Sequence, residues 1–307
     1  MIPVKRLGHA TYITPDVGRM VEYYEQVLGL EVVEQSPSRA VLATAMGQEA
    51  LVFEAGTSAL CPRISLGLAP EYDLADAARE LSGLGIKSEQ RSGITPGIAK
   101  SLVFTDPKGT AIELFTEYKP VSGRRTGTGI APVKFGHIAF NATTAKSITE
   151  FYCNTLGFRV SDWIETVFAF LRCGPDHHTV NFIDGPDGVM HHMAFELKDW
   201  AHVLVACDTW ARHKRSIIWG PGRHEVGHNI FIYSRDPDDH IVELFTELDL
   251  MKDEALGYFE PRPWHKDRPQ RPKVWDHVTG APSWGLPPSP DFRRSGTRHL
   301  AKVAEGG

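Results

Sequence analysis

The chain has 307 residues, room for about two domains of ordinary size, and a 42% hydrophobic fraction that can fill two cores. A net charge of −5, with no basic stripe outside the Pro-rich end, excludes a general nucleic-acid binder. No signal-like start and no run of about 18 apolar residues is present, and Cys61, Cys153, Cys173 and Cys207 form no Cys-x-x-Cys pair, so a cytoplasmic chain that uses no membrane is expected.

In chain order, residues 7 to 34 read as strand, helix, strands. Val17, Met20, Val21, Tyr24 and Leu28 recur at helical spacing behind Asp16 as N-cap, and Gly29 supplies the stop. Residues 135 to 162 repeat this plan, and Tyr24-x-x-x-Leu28-Gly29 matches Tyr152-x-x-x-Leu156-Gly157. The two halves also end alike: Asp106-Pro107-Lys108-Gly109 runs to Glu113-Leu114-Phe115-Thr116-Glu117, and Asp236-Pro237-Asp238-Asp239 runs to Glu243-Leu244-Phe245-Thr246-Glu247. This is an internal duplication. Each half divides again, with a strand near 64–68, a helix over 74–84 and strands near 102–105 and 111–116 in the first, and the same plan over 189–247 in the second. An α+β architecture of four βαβββ modules is expected, with domains over 1–120 and 131–250 joined by the Gly/Thr/Arg-rich segment 120–130. In the tail, 251–307, many prolines are expected to forbid regular structure, yet Trp264, Trp275 and Trp284 predict packing on the C-terminal domain to about Phe292, with fraying beyond Arg294.

Chemistry concentrates in the last hairpin. On its return strand Ile241, Glu243 and Phe245 share one face, so a carboxylate is bracketed by apolar side chains. A buried carboxylate needs a cation, and His224 and Tyr233 upstream could complete a polar pocket. Taken alone, the pattern is better read as Glu243 facing an Arg or lying half-exposed at a sheet edge. The duplication sharpens it: His9, Arg63 and Glu113 fall opposite His137, His192 and Glu243. Two imidazoles and a carboxylate from three strands suit a divalent metal with open positions, whereas Arg cannot ligate, so the first half is expected to be metal-free. Strand alternation lets only one of His191 and His192, and one of His177 and His178, enter a given cup.

These residues resemble the type I extradiol ring-cleaving dioxygenases of the vicinal oxygen chelate superfamily, close to the catechol 2,3-dioxygenases. The family signature is matched by Gly222-Arg223-His224, then seven residues, Ile232-Tyr233, Asp236-Pro237 and Glu243, and the likeness covers about residues 5 to 292. Asp239 stands where Gly or Pro is usual, which leaves the turn type open. The resemblance implies modules curled into two cup-shaped barrels, Fe(II) with Mn(II) as the alternative on His137, His192 and Glu243, and O2 as co-substrate. It also implies His178 as the acid–base group and Tyr233 and His224 as groups that hydrogen-bond the substrate. The implied reaction opens catechol beside its diol to a 2-hydroxymuconic semialdehyde, in a homo-oligomer. Relatives acting on acidic catechols carry an Arg where Trp219 stands and another where Pro272 stands, so a neutral or alkyl catechol, with Trp219 against it, is the expected substrate. His177, His191, His228 and His240 are expected in supporting roles. The competing readings are a glyoxalase-like isomerase or thiol transferase, and a metal-free binding module of the bleomycin-resistance kind.

Overall fold

A computed structural model describes residues 1–263, 265–276 and 282–296, for 294–296 the backbone only. Four modules follow one another. The first is β1 (Val4–Thr14), α1 (Val17–Gln26), β2 (Glu31–Gln35), β3 (Arg39–Ala43) and β4 (Glu49–Ala55). The second is β5 (Leu60–Leu68), α2 (Leu74–Gly83), β6 (Ser88–Thr95), β7 (Ile98–Thr105) and β8 (Ala111–Phe115). The third is β9 (Lys134–Ala142), α3 (Ala145–Leu156), β10 (Arg159–Ile164), β11 (Phe168–Arg172) and β12 (Val180–Asp184). The fourth is β13 (Met190–Glu196), α4 (Trp200–Arg212), β14 (Trp219–Arg223), β15 (Ile230–Arg235) and β16 (Ile241–Thr246).

Local chemistry sets the helix ends. The Asp16 carboxylate accepts from the Arg19 amide at 2.9 Å, satisfying an amide that the first turn of α1 leaves without a partner. Gly157 closes α3 at φ 68°, a left-handed conformation that glycine adopts without strain. Met20, Val21 and Tyr24 of α1, and Ile148, Tyr152 and Leu156 of α3, turn inward and are buried.

The modules pair two by two. In the first sheet the order is β2-β3-β4-β1-β5-β8-β7-β6; in the second it is β10-β11-β12-β9-β13-β16-β15-β14 between two added tail strands. In each sheet the first strands of the two modules lie antiparallel at the centre, β1 with β5 and β9 with β13. One continuous cluster of buried apolar side chains runs through both halves, from Ile2 to Leu244. No helix among the described residues is long and apolar enough to cross a membrane.

The repeated motifs meet across the halves. The Tyr24 hydroxyl donates to Asp236 at 3.0 Å, and the Tyr152 hydroxyl donates to Asp106 at 3.0 Å, so each helix reaches the turn of the other half. In both turns the fourth residue is left-handed, Gly109 at φ 90° and Asp239 at φ 70°. Asp is one of the few L-residues that tolerates this conformation, so the departure at Asp239 keeps the turn geometry.

The tail departs from the expectation of no regular structure. It forms β17 (Met251–Asp253), β18 (Tyr258–Phe259), β19 (Lys273–Trp275), β20 (Trp284–Gly285) and α5 (Pro290–Gly296). Each strand is two or three residues long, which fits between prolines, and Pro290 opens α5 at the helix position where no amide is needed. β19 pairs with β10 and β20 with β14, covering both open edges of the second sheet. Trp264 and the chain end after 296 lie outside the described residues.

Candidate metal centre and its cavity

The site follows from strand register. Ala194 on β13 is paired with His137 on β9 and with Glu243 on β16. Glu243 is paired in turn with Tyr233 on β15, and Tyr233 with Trp219 on β14. One lateral row across five strands therefore carries His137, Glu243, Tyr233 and Trp219, and His192 stands two residues from Ala194 on the same face of β13. The Gly-His pairs of the repeat have a steric cause: a Cβ at Gly136 would come within 2.5 Å of the Phe245 ring, and one at Gly8 within 2.7 Å of Phe115.

The three proposed ligands converge. His137 Nε2 lies 3.0 Å and His192 Nε2 3.3 Å from the same oxygen, Glu243 Oε2, and the two imidazole nitrogens are 3.3 Å apart. Three donors at about 2.1 Å from one centre at right angles would sit about 3.0 Å apart, so this donor set fits one face of an octahedral divalent metal. The other oxygen, Oε1, accepts from Asn229 Nδ2 at 2.9 Å, which turns Oε2 towards the imidazoles. All three residues are buried. Burial would raise the Glu243 carboxyl, but the charges and hydrogen bonds of His137 and His192 outweigh it and hold it well below the carboxylate range.

A second group, His228, Asp249 and His265, is equally close-packed. Its carboxylate is used differently: Oδ2 faces His228 Nδ1 at 2.7 Å and Oδ1 faces His265 Nε2 at 3.2 Å. Each carboxylate oxygen thus faces a different imidazole, hydrogen-bonded at His228 and in charge contact at His265, and the cluster ties the tail to the β14–β15 loop.

The triad lies on the wall of a cavity of about 210 Å³. Ile164, Phe168, Phe170, Ile183, Trp219, Val226 and Phe292 line it with apolar surface, and no Lys or Arg is among its described lining residues. His178, His224, Tyr233, Asn181 and Asn229 add polar groups. The side-chain oxygens of Asn181 and Asn229 are buried without a protein hydrogen-bond partner. The Tyr233 hydroxyl is 3.0 Å from His224 Nε2. Burial pushes His224 down to about 4 and His178 well below the histidine range, with His137 and His177 adding to the effect on His178, so both rings are neutral at neutral pH. Burial and the Glu243 charge together push the Tyr233 hydroxyl well up.

All seven residues singled out from the sequence, His137, His192, Glu243, His178, Tyr233, His224 and Trp219, border this one cavity. The alternation expectation fails at His191, which also lines it, with Nδ1 2.7 Å from His192 Nδ1. The cause is an irregularity in the β9–β13 pairing between Met190 and His192, which rotates His191 onto the site face. His177 precedes β12 and does not line the cavity; its Nδ1 lies 2.9 Å from His178 Nδ1, and its ring meets the lining Phe170 edge-on. Sequence reasoning missed Asn229, whose signal is its place at the mouth of the hairpin. It also missed the apolar wall from β10 and β11, which carries no motif.

In the first half the same register carries other side chains. Ser65 is paired with Glu113, and Arg63 stands two residues from it, where His192 stands in the second half. Arg63 binds Thr11 at 3.2 Å and Glu54 at 2.9 Å. His9 is closed in by the Ser65 hydroxyl at 2.9 Å and Glu113 at 3.3 Å, and Glu113 sits at about 2 because bonding and charge from His9 overcome burial.

The profile of the glyoxalase/bleomycin resistance protein/dioxygenase superfamily matches residues 6–114 and again 134–244. A manganese-dependent 2,3-dihydroxybiphenyl 1,2-dioxygenase from Geobacillus genomosp. 3 is 25% identical over 298 residues, spanning 89% of this chain and 93% of that enzyme. The crystal structure of homoprotocatechuate 2,3-dioxygenase from Arthrobacter globiformis superposes with a TM-score of 0.80 at 26% identity, covering 95% of this chain and 91% of that one. A Mn(II)-bound glyoxalase from Novosphingobium aromaticivorans gives 0.81 at 22% identity over 95% and 94%, a likeness of fold alone.

Proposed function

The chain belongs to the glyoxalase/bleomycin resistance protein/dioxygenase superfamily, and on that premise we propose that it is an extradiol dioxygenase that opens the ring of a neutral or alkyl-substituted catechol with O2. The observation that carries the reading is the His137–His192–Glu243 convergence on the wall of a small aromatic-lined cavity. Likeness to the dihydroxybiphenyl and homoprotocatechuate enzymes supports the reaction class.

In this reading His137, His192 and Glu243 hold a divalent iron or manganese ion. When bound, the ion supplies Lewis acidity towards the diol and redox contact with O2. The protein's own groups do the rest. Neutral His178 takes the proton of a substrate hydroxyl and later returns it, a role that needs a free imidazole nitrogen in the cavity. Tyr233 and His224, already bonded to each other, bond the diol oxygens and fix the ring plane. The stacked pair Phe168 and Phe170, with ring centroids 4.2 Å apart, forms an apolar wall, and Phe292 lines the cavity from the tail; together they limit water.

The apolar lining supports the substrate class, since a carboxylate placed there would find no cation among the described lining residues and would remain unpaired. The test is anaerobic purification with ferrous iron, then oxygen uptake and yellow product with catechol, 3- and 4-methylcatechol, 2,3-dihydroxybiphenyl and homoprotocatechuate. Fastest turnover is expected with a neutral diol; homoprotocatechuate turning over fastest would overturn the substrate class, and no uptake with any diol would overturn the reaction.

A further inference from the structure

Beside the cavity, a buried chain of hydrogen bonds ends on His178. Asp162 on β10 is 1% exposed. Its Oδ1 accepts the Lys273 amide of the tail strand β19 at 2.7 Å, and its Oδ2 faces His177 Nε2 at 3.0 Å. His177 Nδ1 then meets His178 Nδ1 at 2.9 Å. The His177 ring is fixed from other sides by Phe259, at 5.0 Å between centroids, and by its own amide, bonded to the Asp249 carbonyl at 2.8 Å.

We propose that Asp162 and His177 are positioning residues that fix the tautomer of His178, and that the tail completes the relay. The logic is one of donors and acceptors. An ionised carboxylate only accepts, so the hydrogen between Asp162 and His177 sits on Nε2. A neutral imidazole that donates from one nitrogen accepts at the other, so His177 Nδ1 offers a lone pair to His178. The hydrogen in the short contact between the two rings therefore belongs to His178 Nδ1, and His178 Nε2 keeps its lone pair for the cavity. That is the form a proton acceptor needs. Asp162→Asn inverts the relay: its amide nitrogen donates to His177 Nε2, His177 Nδ1 becomes the donor, and His178 must carry its hydrogen on Nε2, where it blocks the base.

This inference rests on the acid–base reading of His178, and its test has an arm that does not. In the full chain labelled with 15N-histidine and loaded with diamagnetic Zn(II), two-bond 15N–1H correlations, assigned with a His178→Gln variant, read the tautomer directly. Nδ1–H is expected at His178 in the parent and Nε2–H in Asp162→Asn; Nε2–H in the parent, or no change in the variant, overturns the proposal whatever the enzyme does. In the activity arm, with ferrous enzyme, Asp162→Asn is expected to lower kcat by about 10²-fold, the lower end of what a positioned acid–base group contributes, with KM and metal content unchanged. His177→Asn places an amide oxygen near the place of Nδ1 and so still accepts from His178; it should lose less than about tenfold, and the Asp162→Asn, His177→Asn double variant should recover to that level. A double variant no better than Asp162→Asn alone would show a structural role only and overturn the relay. If the parent opens no catechol at all, the reaction reading fails, and the tautomer result stands apart from it.

Discussion

The two halves share one backbone plan and differ at a few positions of one register. Where the second half has His192, the first has Arg63, bound to Thr11 and Glu54. Across the central strands, Glu49 of β4 takes the place that His178 holds ahead of β12, since β1 aligns Ala10 with Leu51 as β9 aligns Ile138 with Val180. His9 and Glu113 remain, 3.3 Å apart, but closed on each other and on Ser65. The lesson is that the fold brings corresponding positions together in both copies, and single side chains decide whether a His-His-Glu set or an internally bonded cluster stands there.

The largest expected effect breaks the comparison from the active side. Glu243→Ala should abolish stoichiometric metal and lower oxygen uptake by more than about 10³-fold, because two imidazoles remain without their anionic partner. Glu113→Gln, at the matching position, should leave turnover within about twofold; metal analysis beside oxygen uptake checks both. A comparable loss in both variants would mean that the halves share the chemistry.

The comparison can also be pushed the other way. Arg63→His restores a third possible ligand beside His9 and Glu113, and metal content is expected to rise from about one towards two ions per chain. Unchanged stoichiometry would show that closure by Ser65, and not the guanidinium, keeps the first half empty of metal.

A subtler difference lies at Glu49, whose carboxyl burial pushes up to about 8, with Arg6 opposing and Glu113 adding to the rise. In the folded chain it keeps its proton to about that pH, whereas an unfolded Glu loses it near 4.5. The folded state thus binds more protons between these values, and stability contributed by this group is full below about 4.5 and lost as pH rises through about 8. Glu49→Gln should flatten this fall and be more stable than the parent at pH 9 by about 2 kcal/mol, read by denaturant titration at pH 5 and pH 9. An equal difference at both pH values would remove the charge explanation.

The smallest effect tests the symmetry. Tyr24→Phe and Tyr152→Phe each remove one donor from a buried Asp oxygen, leaving His240 on Asp236 and Lys108 on Asp106, and should cost about 1–3 kcal/mol, with little change in metal content. Markedly unequal costs would show that His240 on Asp236 and Lys108 on Asp106 compensate differently.

Much of this was legible in the sequence, and for a definite reason. Duplication turns one weak pattern into a comparison, so the Tyr-x-x-x-Leu-Gly and Asp-Pro motifs revealed the modules and the failure at Arg63 singled out the triad. Register then carries His137, Glu243 and Tyr233 into one row, which alternation anticipates. What escaped is non-local. The side on which His191 lies depends on an irregularity in pairing with β9, and no pattern within β13 announces it. Ile164, Phe168 and Phe170 are ordinary strand residues until the sheet curls over the metal site. The tail strands are too short to leave a periodic signal, and they exist because β10 and β14 offer unpaired edges.

The exchange of tyrosines between helices and turns bears on why both copies persist. Cut apart, either half would expose an apolar face and strand one aspartate and one phenol from the other half's keeping. The first half therefore holds the fold of the second whatever its own chemistry, and an attempt to shorten this protein to residues 131–250 should yield an insoluble fragment.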